Sequence, residues 1–318
     1  MPVSIPRSKI AIIGAGAVGS TYAFALSLRG LAREILIIDI DRKRAEGEAI
    51  DMSHGLPLLP PCDISASDRT DGVADADLIV IAAGVGQKIG ETRLELVGRN
   101  LKVFQSIFNS MPALSPNTLI LVVSNPVDVL TYASLKYSGL PPERVIGSGT
   151  SLDTHRFRNA IAEHFNLDSR NVHGYVVGEH GDSEVPLWSS VHIGSLPLQD
   201  FCHQFGGDFD KNTIFEQQVR QAAYRIIERK GWTNYGIAVA LVSLTEAILR
   251  DQNTVLCVSS YLREYSGIHD VCLSVPCVVN RQGIRQWLKP PMYEQEYEAF
   301  AQSASIIGNT LDSLHLRK

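Results

Sequence analysis

Short, wholly apolar runs alternate with segments of helical period through the first half of the chain. Ile10–Ile13 reads as a buried strand, Ala17–Leu28 as a helix, Ile35–Asp39 as a strand and Arg42–His54 as a helix. Leu78–Ala82 and Leu119–Val123 are further apolar runs without alternation, the pattern of parallel strands covered on both faces. Such strand–helix alternation predicts a Rossmann-type, doubly wound parallel sheet with right-handed crossovers. The second half changes character. Ser151–Phe165 and Phe215–Arg250 carry helical periods, the latter interrupted near Gly231 and Gly236, while Val172–Val177, Val255–Ser259 and Cys272–Val279 read as strands joined by turns. The sequence therefore predicts an α/β protein of two units, a dinucleotide-binding domain over residues 1–148 and an α+β substrate domain over residues 149–318.

Composition narrows the class of partner. The formal charge is −5 with both signs interspersed, so nothing favours nucleic acid or an anionic membrane surface. No apolar run approaches a membrane span, and a cytoplasmic location is expected. Five scattered cysteines, odd in number and without a C-x-x-C pair, predict reduced and mostly buried thiols rather than disulfides or a metal site.

The strongest motif is Gly14-Ala15-Gly16-Ala17-Val18-Gly19, between the first strand and the first helix. The first glycine allows a tight turn, the second lets the backbone approach a pyrophosphate, and the third permits close helix–strand packing. The helix start then presents free N–H groups and partial positive charge to the phosphates. Asp39 ends the second strand twenty positions after Gly19, where a carboxylate can bind a ribose 2′-hydroxyl and repel a 2′-phosphate. NAD is favoured over NADP, with Arg42, Lys43 and Arg44 nearby as an opposing influence.

Three further clusters carry chemistry. Val176 to Ser183 sets His180 between Gly178 and Gly181 after an apolar strand, and imidazole titrates where a proton donor at neutral pH should. In Ser151–Arg158, Asp153 and Arg156 share a helix face while Arg158 points elsewhere. Alone, such a pair is more often a surface ion pair. Gly84 to Arg93 follows a strand and has the glycines of a mobile lid, and Asn125-Pro126-Val127-Asp128 ends the Leu119–Val123 run at the edge where ligands bind in such sheets.

Together these motifs resemble the lactate/malate dehydrogenase family over nearly the whole chain, from the glycine turn through Thr233 to Val275–Val279. The resemblance implies reversible hydride transfer between NADH and pyruvate giving lactate, with His180 as proton donor and acceptor. Asp153 would orient and charge the imidazole, Arg156 would clamp the substrate carboxylate through two parallel bonds, and Arg93 would stabilise charge growing on the carbonyl oxygen. Asn125, Asp128 and Thr233 complete the substrate contacts that the resemblance implies. It also carries cofactor contacts to Gly14, Gly16, Val18, Gly19, Asp39, Arg44, Thr70, Gly84, Val85, Ser106, Val123, Asn125 and Ser148.

Gln87 stands where malate-selective members carry arginine, so a second substrate carboxylate would be left unpaired and pyruvate is expected over oxaloacetate. Ile89 and His155 depart from the family pattern, at the lid and beside the substrate pair. Arg158 and His173 match positions that bind fructose 1,6-bisphosphate across a subunit interface in bacterial members, which raises allosteric activation of a homotetramer. A malate-selective relative and a catalytically silent NAD-binding sensor are the competing readings. The second conflicts with the presence of His180, Asp153, Arg156 and Arg93 together.

Overall fold

A computed structural model describes residues 8–86, 93–206 and 210–317. The first half builds β1 (Lys9–Ile13), α1 (Ala17–Arg29), β2 (Glu34–Ile38), α2 (Arg42–Gly55), β3 (Asp63–Ser67), β4 (Leu78–Ile81), α3 (Arg93–Ser110), β5 (Leu119–Val122), α4 (Val127–Ser138) and β6 (Val145–Gly147). The six strands pair in parallel in the order β3-β2-β1-β4-β5-β6. Four of them, β1, β2, β4 and β5, are nearly or wholly buried, as their unbroken apolar runs require. The order reverses between β1 and β4, which opens a crevice at their carboxyl ends. Local signals set the helix ends: Gly30 closes α1 in the left-handed region, and the Asp41 side chain caps α2 by accepting from the Arg44 N–H.

The second half contains α5 (Ser151–His164), β7 (Val172–His173), β8 (Val176–Val177), β9 (Val185–Pro186), β10 (His192–Ile193), β11 (Leu196–Pro197), α6 (Leu198–Phe205), α7 (Lys211–Phe215), α8 (Ala222–Lys230) and α9 (Tyr235–Leu249). It ends with β12 (Thr254–Leu262), β13 (Val271–Asn280), β14 (Gly283–Trp287) and α10 (Glu294–Ser313). Strands β12, β13 and β14 do not stand apart. They extend the parallel sheet through one antiparallel pairing, Ser259 with Gly147, so a nine-stranded sheet runs through both halves. One apolar core follows it, and a smaller cluster gathers Phe157, Val191 and Phe215, with Trp188 edge-on to Phe157 at 4.7 Å.

Two sequence expectations need correction. Val172–Val177 is not one strand: Gly174 and Tyr175 separate β7 from β8, which join different sheets. Phe215–Arg250 breaks at a wide π turn over Glu216–Arg220 and again after Gly231, whereas Gly236 lies within the first turn of α9. The π turn contains neither Gly nor Pro, the residues that mark a break in a sequence, so the pattern does not reveal it. The five cysteines are free thiols, four of them buried. No described helix is long and apolar enough to cross a membrane.

Candidate active site

The crevice between β1 and β4 is a cavity of about 560 Å³ lined by Gly14, Gly16, Asp39, Arg44, Thr70, Gly84, Val85 and Ser106 among others. Gly14 has φ +111°, and a Cβ there would lie 2.6 Å from the Ala83 nitrogen. A Cβ on Gly19 would fall 1.9 Å from the Gly14 carbonyl oxygen, so α1 approaches the turn only because that side chain is missing. Gly16 precedes α1 without a side-chain cap, leaving the first-turn N–H groups to a ligand. Asp39 Oδ2 accepts from the Ala15 N–H at 2.7 Å and Oδ1 from the Asp41 N–H at 3.0 Å, which fixes the carboxylate at the cavity wall. Bare backbone for phosphates and a pinned carboxylate for a ribose are the features a dinucleotide needs, and these residues fit NAD.

A second cavity of about 450 Å³ holds the reactive groups. His180 follows β8, Asp153 and Arg156 lie on α5, and Asn125 sits between β5 and α4. All four line the cavity. His180 Nδ1 meets Asp153 Oδ2 at 2.6 Å, and Arg156 Nη1 donates to Asp153 Oδ1 at 2.9 Å. Asp153 is buried beneath both, while the imidazole keeps 28% of its surface open. With Nδ1 held by the carboxylate, the other ring nitrogen is left to exchange a proton with a ligand.

Electrostatics prepare the imidazole for that role. Burial lowers its proton affinity, but the Asp153 charge and hydrogen bond outweigh burial, and the pKa of His180 is pushed up to about 9. Burial raises Asp153, yet His180 and Arg156 hold it below its ordinary value. Glu184 lines the same cavity and is raised to about 8, by burial first and by Asp153 second. An imidazole nitrogen of His180 and one carboxylate oxygen each of Asp153 and Glu184 lie within 4.8 Å of one another.

Asp128 departs from its expected place at the substrate. It is 1% exposed, accepts from the His180 backbone N–H at 2.8 Å and from Ser259 Oγ at 2.6 Å, and so holds the histidine segment instead of facing the cavity. Its two oxygens are used within the protein, and burial raises its pKa to about 6. Val18, Val123 and Ser148 lie near the crevice but not in its lining, and Thr233 sits half-buried between α8 and α9. Gln87, Ile89 and the Arg93 side chain lie outside the described residues. Arg158 turns away from the cavity as its spacing predicts: its Nε donates to the Gly174 carbonyl at 2.9 Å and its guanidinium lies 5.3 Å from the Tyr175 ring centre. His173, the residue before Gly174, is exposed, and His155 points its Nδ1 to the Ser151 carbonyl at 2.7 Å.

Three residues at the site are not evident from the sequence pattern. Buried Asn100 binds the Val85 N–H at 2.8 Å and the Asn125 carbonyl at 3.0 Å, joining the glycine segment after β4 to the substrate cavity. Glu184 and Arg220 line that cavity beside His180. A charged residue four places after a glycine-flanked histidine was the available signal for Glu184. Nothing in the spacing marks Arg220.

Residues 8–147 match the lactate/malate dehydrogenase, NAD binding domain, and residues 150–315 match the lactate/malate dehydrogenase, alpha/beta C-terminal domain. The chain is 48% identical over 302 residues to an L-lactate dehydrogenase of Clostridium perfringens, covering 94% of this chain and 95% of that one. It is 46% identical over 312 residues to one from a Thermoanaerobacter species, covering 97% and 100%. Among solved structures it is similar to a lactate dehydrogenase from a Medee basin deep-sea metagenome library, with a TM-score of 0.92, 41% identity, and 96% and 98% coverage. It also resembles the minor L-lactate dehydrogenase of Enterococcus mundtii in a ligand-bound form, with a TM-score of 0.93, 38% identity, and 98% and 99% coverage.

Proposed function

The chain belongs to the lactate/malate dehydrogenase family, and from that premise we propose that it acts as an NAD-dependent L-lactate dehydrogenase interconverting pyruvate and (S)-lactate in the cytoplasm. The observation that carries this reading is the linked set His180, Asp153 and Arg156, which joins a proton donor to an anion clamp on one cavity wall. When bound, NADH supplies the hydride. Arg156 holds the substrate carboxylate through charge-assisted bonds and so presents the ketone oxygen to the free nitrogen of His180. Protonated His180 gives its proton to that oxygen as the alcohol forms, and Asp153 keeps the ring in the donating orientation throughout.

Arg93, at the start of α3, is assigned to stabilise the charge developing on the ketone oxygen, a contribution of roughly 3–4 kcal/mol in a dry site. Asn125 and Thr233 are assigned contacts to the same region, and Gln87 is assigned to select against a second carboxylate. In the cofactor crevice, Asp39 takes the ribose hydroxyls and the Gly14–Gly19 turn takes the pyrophosphate. Arg44, Thr70, Gly84, Val85 and Ser106 provide surrounding contacts, and Val18, Val123 and Ser148 are assigned further cofactor contacts. Arg158 and His173 are assigned to a fructose 1,6-bisphosphate site of a homotetramer, supported by the course of Arg158 away from the substrate cavity to Gly174, next to exposed His173.

Side-by-side NADH oxidation with pyruvate and oxaloacetate tests the assignment. Pyruvate is expected to be the better substrate, and Gln87→Arg is expected to move preference toward oxaloacetate. Wild-type preference for oxaloacetate would make the protein a malate enzyme, and inertness toward both would remove the assignment. Pyruvate saturation curves that coincide with and without added bisphosphate would remove the effector site alone.

A further inference from the structure

The dehydrogenase reading above leaves one acid of the cavity without a task. Glu184 is 4% exposed and lines the wall shared by His180, Asp153 and Arg156. A carboxylate oxygen lies within 4.8 Å of an imidazole nitrogen and of the Asp153 carboxylate. Among the described residues, no hydrogen bond reaches its carboxyl group; its backbone carbonyl, by contrast, accepts from Arg220 Nη2 at 3.0 Å. Arg220 pairs through Nη1 with Glu216, and its buried Nε has no hydrogen-bond partner among the described residues. The Glu184 carboxyl group is not sealed in the core but opens on the cavity, where a ligand can meet it. Its surroundings are charges: Asp153, His180, Arg220 and Arg156.

We propose that Glu184 is a positioning residue for the proton of His180, a second acid that works with Asp153 to keep the imidazole charged until the ketone oxygen takes the proton. The proposal rests on the dehydrogenase reading. The Arg220 clamp on the Glu184 backbone sets the acid's distance from the ring and ties it to the π turn before α8. The charged groups around the imidazole are Asp153 and Arg156 from α5, Asp128 from α4, Glu179, Asp182 and Glu184 from its own segment, and Arg220 from the π turn. Arg93 of α3 has its side chain outside the described residues. Of these, Asp153, Glu184 and Asp128 raise the proton affinity of His180, in that order. Because Glu184 itself is raised toward neutrality, the two groups titrate as a coupled pair.

The experiment compares full-length wild type with Glu184→Gln and Glu184→Asp. Profiles of kcat/KM for pyruvate are measured against pH, and the histidine ring is titrated by NMR with 15N-labelled imidazole. Glu184→Gln is expected to lower the alkaline midpoint of both curves by about one pH unit, the size of a single charge acting from this range. Glu184→Asp, which keeps the charge, is expected to return at least half of that shift. A folded Glu184→Gln protein with both curves on the wild-type midpoint overturns the proposal. Should that variant fail to fold, wild type labelled at the glutamate carboxyl carbons decides: one carboxyl group is expected to titrate in step with His180, and none doing so overturns it. If wild type ignores 2-oxo acids, the dehydrogenase reading fails, while both NMR titrations still judge the link between Glu184 and His180.

Discussion

Replacing Asp153 with asparagine isolates the charge that prepares His180. The side chain keeps its size and an oxygen able to accept from Nδ1, but no longer draws a proton toward the ring. Asp153 accepts from both His180 and Arg156 and is 2% exposed, so water cannot take over its charge. His180 stands at about 9 chiefly because this carboxylate outweighs burial, so without it the proton affinity of the ring falls back toward its ordinary value. At about pH 7.5 a group with a pKa of 9 is almost wholly protonated, and one at 6.5 is protonated in roughly a tenth of molecules. Protonation alone thus removes about tenfold in pyruvate reduction, and lost ring orientation adds roughly one to two further powers of ten. The expected fall in kcat/KM is about 10²- to 10³-fold, the protonation part of which returns as the assay is moved to about pH 5.5. NADH absorbance across the pH range measures it directly. A folded Asp153→Asn protein that keeps the wild-type alkaline midpoint would refute the reasoning.

In the wild type, pyruvate reduction should decline as pH rises through about 9, while lactate oxidation, which needs neutral His180, should gain over the same interval; initial rates in both directions check this. The same raised value stabilises the fold fully below pH 6.5 and ceases to do so as pH passes about 9, whereas the depressed Asp153 stabilises above its ordinary value and stops as acid protonates it. Melting temperature against pH should therefore fall at both ends. Asp39→Ser removes the carboxylate from the cavity wall and should weaken NADH binding about tenfold while improving use of NADPH, read from the two KM values. Gly14→Ala forces a Cβ to within 2.6 Å of the Ala83 nitrogen at φ +111° and should cost roughly 2–4 kcal/mol, seen as a lower melting temperature and loss of NADH fluorescence titration.

The parallel half of the fold was legible because its strands are unbroken apolar runs and its turn glycines have no alternative use; Gly14 and Gly19 sit where a side chain would collide with backbone. Asp153 and Arg156 could be paired from helical spacing alone. Residues that act across the chain were harder to see. His180 is 52 positions from Asp128, and Arg220 is 36 from Glu184, so no local period relates them. The junction of β6 with β12 was hidden for the same reason, and β7 and β8 looked like one strand because Gly174 and Tyr175 do not interrupt a hydrophobic run strongly enough. Asn100 reads as an ordinary polar helix residue until the chain after β4 folds back on it.

Asp128 has a mechanical consequence. Its single carboxylate fastens the backbone of the proton donor to a helix rising from the cofactor sheet and, through Ser259, to the strand that continues that sheet. The imidazole is thereby anchored to the same frame that seats the dinucleotide. Whatever moves to admit or enclose a substrate must travel toward a stationary reaction centre, and the distance between the two halves of the chemistry does not depend on that movement.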